Sequence, residues 1–499
     1  MNLPNPSRPL SAALQAPVDT VAATASPSEH ELVAEAPHRV PRDLLARLDI
    51  AGPRYTSYPT ADRFVEAFGA EQYGQALTQR AEGGGAVGGA FTPLSLYIHV
   101  PFCESVCYYC ACNKVITKHH ERADEYLVAL KGEIDLVIAH LGAAQSVSQL
   151  HFGGGSPTFL RDDQLADLLA HLRARFKFVP GGEYAIEVDP RTVDAARIRS
   201  LAAMGFNRLS LGVQDFDPDV QVAVHRVQSF EQVATLMHAA REAGIESINM
   251  DLIYGLPKQS PHTFERTLQQ VCELKPDRVA LYAYAHLPQR FKPQRRIDAD
   301  KLPQADDKLT MLTMAIDTLG AHGWDYIGMD HFARHQDSLA VARRQGRLHR
   351  NFQGYSTQPD SDLIGLGVSA IGRVGPHYSQ NAKTLDEYYD AIKNGDLPIV
   401  RGMTLSRDDL VRRAVIMAIM CQGRVDFESI ELAYLIDFKQ YFALELDQLS
   451  PLIESGLVEL ETDGVRVTPL GWYFVRAIAM VFDRYLQSDR NLQRFSRII

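Results

Sequence analysis

Cysteine is scarce in this chain: six in 499 residues exclude a fold stapled by disulfides. Long apolar runs are missing as well. None approaches the roughly 20 residues that cross a bilayer, so a membrane-spanning protein is not expected. Basic residues are outnumbered, 51 Lys and Arg against 61 Asp and Glu, and the net charge is −10. That balance argues against general binding to nucleic acid or to an anionic membrane, and an acidic substrate would need a local basic cluster. The start of the chain lacks the basic region and apolar stretch of a secretory signal. Up to Ala36 it carries only Arg8 against Asp19, Glu29, Glu31 and Glu35, unlike an arginine-rich presequence. Residues 1–40, rich in Pro, Ala and Ser without a period, read as a disordered tail, and the protein as cytoplasmic.

The remaining composition, 46% apolar and 22% charged, is that of a soluble globular protein long enough for two or three domains. From residue 94, short apolar runs alternate with amphipathic stretches. The runs are Leu96–Val100, Gln149–Gly153, Tyr184–Val188, Arg208–Gln214, Ile248–Tyr254 and Val279–Tyr284. Helical patterns occupy 121–140, 161–175, 193–204, 229–243, 261–274 and 304–321. Six strand–helix repeats predict parallel strands joined by crossovers, three-quarters of an eight-unit barrel. Polar and glycine residues gather where each strand ends: Cys103, then Gly153 to Gly155, Glu187 and Asp189, Gln214 and Asp215, Asp251, and His286. Barrel enzymes build their sites on that face, so six such positions point to one shared site.

Beyond residue 400 the pattern becomes helical, with segments at 406–421, 428–436 and 442–454. A hairpin of Val458–Glu461 and Val465–Thr468 around Asp463-Gly464 follows, then a long helix over 470–486. This resembles a winged helix, but 401–499 holds 12 basic against 14 acidic residues, so a packing role is expected rather than DNA binding.

Four of the six cysteines fall within ten residues. Cys103, Cys107 and Cys110 form a CxxxCxxC spacing directly after the first strand. Three thiolates on one loop can hold three corners of a [4Fe–4S] cube and leave the fourth iron free for a small molecule. A zinc site would ordinarily pair CxxC with a second CxxC or with histidines. No second pair occurs, and His99, His119 and His120 are badly spaced. Cys272 and Cys421 read as small buried apolar residues.

The spacing, with aromatic Tyr109 before the last cysteine, is the signature of the radical S-adenosylmethionine superfamily. A closer resemblance lies in Gly52-Pro-Arg-Tyr-Thr-Ser-Tyr-Pro-Thr60, Leu96-Tyr-Ile-His-Val-Pro-Phe-Cys103, Cys110-Ala-Cys-Asn-Lys114 and Ile186-Glu-Val-Asp-Pro190. It continues in Asn207–Asp215, Asp251–Lys258, Met329–Ala333, His349–Tyr355 and the closing Phe495–Ile499. From about residue 45 onward the chain resembles the oxygen-independent coproporphyrinogen III oxidases.

That resemblance implies a partial (β/α)6 barrel over 94–400, a substrate-covering segment over 41–93 and a mostly helical, winged-helix-like domain over 401–499. It implies a [4Fe–4S] cluster on Cys103, Cys107 and Cys110, with Cys112 a non-ligand. Tyr97, Gly155, Glu187, Gln214, Arg226, Asp251 and Ala285 would contact S-adenosylmethionine. Tyr109, Gly154, Ser156 and Ile371 would serve a second adenosylmethionine, and Phe352 and Gln353 would take part in turnover with Tyr97 and Glu187. The stretch Val224-His-Arg-Val227 departs somewhat from the family pattern. The implied reaction turns two propionates of coproporphyrinogen III into the vinyl groups of protoporphyrinogen IX. It needs a low-potential electron donor and an electron acceptor, and a monomer is the family expectation. Four substrate carboxylates call for arginines, and Arg54, Arg334 and Arg350 stand in or near the family motifs. A haem chaperone shares this fold and cluster motif, but Cys112, the Arg54–Thr60 segment and the Phe352–Gln353 pair mark the oxidase branch.

Overall fold

The computed structural model describes residues 40–487, apart from 49, 85, 88, 89 and 144. The expected tail therefore lies, but for Val40, outside the described residues, as does the closing Phe495–Ile499. Six parallel strands carry the architecture: β1 Leu94–Val100, β2 Gln145–Gly154, β3 Phe176–Val188, β4 Arg208–Gln214, β5 Ser247–Tyr254 and β6 Arg278–Ala283. They lie side by side in chain order, each hydrogen-bonded to the next. Helices follow them in turn: α1 Arg122–Leu141, α2 Asp162–Arg175, α3 Ala195–Ala203, α4 Phe230–Glu242, α5 Pro261–Leu274 and α6 Ala305–Ala321. Asp194, Ser229 and Ser260 each accept an amide hydrogen bond at a helix start, which fixes three of these boundaries.

The sheet does not stop at six strands. β8 His331–Arg334 pairs antiparallel with β6, and β7 Trp324–Gly328 pairs antiparallel with β8. On the other side β9 Leu363–Leu366 joins β1 in parallel. It is followed by antiparallel β10 Ile371–Val374, β11 His377–Asn381 and β12 Ile399–Thr404. The order is β7-β8-β6-β5-β4-β3-β2-β1-β9-β10-β11-β12, with no pairing between the two ends, so the barrel stays open.

Strand β4 shows how the sequence divides its faces. Leu209, Leu211 and Val213 are buried in the apolar core, while the alternate residues Arg208, Ser210, Gly212 and Gln214 are only partly covered. A parallel sheet covered on both sides is usually apolar on both; here the inner face is polar, as a binding cavity requires.

One buried carboxylate ties this core together. Glu133 of α1 accepts hydrogen bonds from Gly367 N at 2.7 Å, Tyr388 OH at 2.6 Å and Asn381 Nδ2 at 2.6 Å. Burial nevertheless pushes it up to about 7. Since the folded value lies above the ordinary 4.5, this group withdraws stability as pH rises from 4.5 towards 7. Glu133→Gln should abolish that component, and its amide would face at least one of the three donors, a loss of roughly 1–3 kcal/mol. Urea denaturation at several pH values measures both effects.

The carboxy-terminal part follows the expected helices at Arg407–Gln422 and Phe427–Tyr434, then splits the third into Ala443–Gln448 and Ser450–Glu454. The hairpin forms from Val458–Leu460 and Gly464–Val467, and Arg424–Asp426 adds a third strand. The long helix expected over 470–486 is broken. Gly471–Phe474 is a 3-10 turn, Val475–Met480 a short helix and Arg484–Gln487 another. Asp483 causes the second break: buried, it takes the hydroxyl of Tyr55 and the amides of Tyr485 and Leu486, starting a new turn. Cys421 is buried as expected, whereas Cys272 is half-buried.

Candidate functional site

The thiol loop leaves β1 through Pro101 and is anchored by pairing of Phe102–Cys103 with Val115–Ile116. Cys107 is buried, and its sulfur accepts from Arg226 Nη1 at 3.3 Å and Arg191 Nη2 at 3.4 Å. Both guanidiniums are held by Asp189 at the end of β3. Ser156 Oγ donates to Cys103 Sγ at 3.8 Å. Burial pushes the Cys103 thiol up to about 11, while a hydrogen bond from Cys112 and the nearby Lys114 ammonium bring Cys110 down to about 6.

Beside this loop a cavity of about 520 Å³ runs along the inner face of the sheet. Of the residues singled out from sequence, Tyr97, Gly154, Glu187, Asp251, Phe352, Gln353 and Ile371 line it, together with Cys112. Register explains the meeting: Tyr97 lies opposite His151, Glu187 opposite Ser210, and Gly212 opposite Asp251. Tyr97 stacks on His151 with ring centroids 5.9 Å apart and reaches His99 Nδ1 at 3.2 Å. Glu187 bonds His151 Nε2 at 3.1 Å and accepts from Gly154 N at 3.3 Å. Asp251 accepts from Ser210 Oγ at 3.0 Å and Asn249 Nδ2 at 2.8 Å, and burial pushes it up to about 6. Neither carboxylate is paired with a barrel arginine, so both face the cavity as potential acceptors.

The other sequence-picked residues belong to the thiol side. Arg226 is buried, with Nε on Gly212 O at 3.0 Å, and Gln214 holds φ +71°. A Cβ on Gly212 would meet Arg226 Nη2 at 2.9 Å and Gln214 Nε2 at 3.1 Å, which places both side chains over that glycine. Gly155 allows the chain to cross Pro101 O and Phe102 O, each 2.7 Å from where its Cβ would stand. Tyr109 packs with Val220, Val224 and Ile253, and Ala285 lies past the end of β6 outside the cavity lining.

Of the three nominated arginines, Arg334 is misplaced. It ends antiparallel β8 at the start of β6, the opposite end of the sheet from the cysteines, and spends itself on Trp324 and His322 O. Chain reversal after α6 carries it there, and a family motif read linearly hides that reversal. Arg54 is paired with Asp330. Residues missed from sequence include Arg191, His151, Ser210 and Asn249. For the last two the alternation of β4 and β5 was the available signal.

The chain matches the Radical SAM superfamily over residues 97–271 and the HemN C-terminal domain over 405–474. A partial barrel bearing the thiol loop, joined to that carboxy-terminal part, is the build of a radical S-adenosylmethionine enzyme. An oxygen-independent coproporphyrinogen III oxidase of Pseudomonas aeruginosa is 50% identical over 92% of this chain and 98% of its own length. One from Escherichia coli is 47% identical over 91% and 98% respectively. The solved coproporphyrinogen III oxidase (HemN) of Escherichia coli, a radical SAM enzyme, superposes with a TM-score of 0.82 at 46% identity, over 88% of this chain and all of that one. This chain belongs to the oxygen-independent coproporphyrinogen III oxidase family.

Membership implies a [4Fe–4S] cluster and S-adenosylmethionine. The donor set fits. Cys103 senses both Cys107 and Cys110, and guanidinium and hydroxyl donors already face the sulfurs. Among the described residues no three His, Cys, Asp or Glu side chains gather closely enough to hold a single metal ion. A cube gives each thiolate its own iron, so its ligands need not converge on one point.

Proposed function

We propose that this protein converts coproporphyrinogen III to protoporphyrinogen IX without oxygen, in the cavity beside Cys112. The observation that carries the reading is that Tyr97, Glu187, Asp251, Phe352, Gln353 and Ile371, scattered over 275 residues of sequence, line one cavity next to the thiol loop. When bound, the cluster and adenosylmethionine supply a primary carbon radical that takes a hydrogen atom from unactivated carbon. Each reacting propionate then loses CO2 and one electron to an acceptor, leaving a vinyl group.

The chain's own residues bind, orient and shield. Cys103, Cys107 and Cys110 hold the cluster, and Arg226 and Arg191 neutralise charge at Cys107. Glu187 and Asp251 receive the positive groups of adenosylmethionine, with Tyr97, Gly155, Gln214, Arg226 and Ala285 around it. Tyr109, Gly154, Ser156 and Ile371 serve a second adenosylmethionine. Phe352 and Gln353 close the substrate side, with residues 41–93 as cover and 401–499 as a packing domain. Among the described residues no helix is long and apolar enough to cross a membrane, and a cytoplasmic monomer drawing on a low-potential donor completes the proposal.

Asp251 gives a pH signature. Adenosylmethionine is cationic at the groups it offers, so its affinity should fall as pH drops through about 6 and Asp251 takes a proton. Asp251→Asn should flatten that profile and weaken binding about tenfold or more, close to 1.4 kcal/mol; equilibrium dialysis with reconstituted protein reads both.

The function itself is tested anaerobically with reconstituted protein, adenosylmethionine, a low-potential reductant, an electron acceptor and coproporphyrinogen III. Protoporphyrinogen IX formed with 5′-deoxyadenosine, and absent for Cys103→Ala, is the expected result. Adenosylmethionine cleavage without decarboxylation would instead favour the haem chaperone.

A further inference from the structure

Charge is uneven around the cavity. Glu187 and Asp251 hold the end near the thiol loop. Two arginines at the other end are already answered, Arg208 by Glu183 at 2.9 Å and Arg278 by Asp337 at 2.9 Å. Behind a third wall stand Arg54, Arg350 and Arg476, close enough that, beside burial, Arg350 weakens the hold of Arg54 on its proton and both weaken that of Arg476. Asp330 pairs with Arg54.

Arg350 is 5% exposed, lies 4.6 Å over the Tyr355 ring, and donates through Nε to Arg54 O at 3.2 Å. Its Nη1 is buried without a hydrogen-bond partner, and so are Gln353 Nε2 and His331 Nδ1. Both neighbours line the cavity. Burial, with Arg350 and Arg54 alongside, pushes His331 down to about 3, so the ring is neutral and can offer a hydrogen rather than a charge. Buried donors left unspent are costly; those of Arg350 and Gln353, with a spare guanidinium charge and the Nδ1 of a neutral His331 that can carry its ring hydrogen, await an anionic acceptor.

We infer that this wall, centred on Arg350 with Gln353 and His331, binds a substrate carboxylate that survives the reaction. The inference rests on the tetrapyrrole reading above and adds which carboxylate is held. A reacting propionate departs as neutral CO2. A guanidinium on that group would bind the ground state more tightly than the transition state and slow the step. A retained propionate incurs no such penalty and anchors substrate and product alike. Because Nη1 is covered, engagement shifts the hairpin of His349–Asn351 and Gly354–Ser356, which carries Phe352 and Gln353 at its tip. Arg350 is thus a substrate-binding residue, remote from the bond that breaks.

The test is anaerobic equilibrium binding of coproporphyrinogen III and of protoporphyrinogen IX to the reconstituted enzyme without reductant. Arg350→Met should weaken both ligands by about tenfold or more and by similar factors, and Arg350→Lys should recover part of each. Gln353→Glu, nearly isosteric and safe from a folding artefact, should also weaken both, with the cluster spectrum unchanged. Weakening of the substrate alone would mean that the wall holds a reacting carboxylate and would overturn the inference. Unchanged binding of both ligands by Arg350→Met and Gln353→Glu would overturn it as well, while leaving the tetrapyrrole reading intact. A wild-type enzyme that binds neither tetrapyrrole would remove that reading, and the inference with it.

Discussion

Cys107→Ala should give a protein that melts close to the wild type, carries no iron–sulfur cluster and forms no protoporphyrinogen IX. The sulfur is a shared acceptor for Arg226 and Arg191, but both guanidiniums keep Asp189 when it is gone. The structural loss is one buried atom, worth about 1 kcal/mol. The chemical loss is complete, since two thiolates on a loop cannot hold a cube that needs three. Iron and sulfide content, 5′-deoxyadenosine yield and a thermal melt separate these effects. A variant that fails to fold would show that the loop is part of the scaffold rather than a carrier of the cofactor.

Arg226→Met should produce the opposite pattern, a large loss of stability with the cysteines intact. Arg226 reaches Asp189 through Nη1 and Nη2, each at 3.2 Å, and satisfies Gly212 O as well. Removing it leaves a buried carboxylate with Arg191 as its remaining cation and a buried carbonyl without its donor. Breaking a buried pair from one side costs roughly 3–5 kcal/mol, and Arg191 places the expectation at the lower end. Urea denaturation measures the loss, and cluster content should fall with it because Cys107 also loses its nearest donor. A wild-type melt for this variant would mean that Arg226 acts on the ligand alone.

The two residues show what the sequence made legible. Cys107 announces itself by spacing, because a loop ligand set is local in the chain. Arg226 was reached through family resemblance alone; its partners Cys107 and Asp189 are 119 and 37 residues away. The barrel was readable for the same reason as the cysteines. Each strand–helix unit repeats a local pattern, and β4 runs over the residues expected, Arg208–Gln214. Strands β7 to β12 were not foreseen. They are four to six residues long and, apart from the parallel seat of β9 on β1, pair antiparallel through turns whose direction no periodicity encodes. The broken helix after Leu470 kept a helical pattern, and only Asp483, which accepts the distant Tyr55 hydroxyl and the amides of Tyr485 and Leu486, reveals the break.

The contact between the two ends of the described chain also sets a timetable. Pro53 O receives Arg476 Nε at 2.7 Å and Tyr55 OH reaches Asp483 at 2.9 Å, partners 423 and 428 positions apart. At about 5–20 residues per second, a ribosome needs roughly 20 to 85 seconds to bridge that interval. Gly52–Tyr58 is therefore made early and docked last, and a chain truncated before residue 475 should leave it open to proteolysis. During that wait the thiol loop is already synthesised while the wall around Arg54 is unfinished.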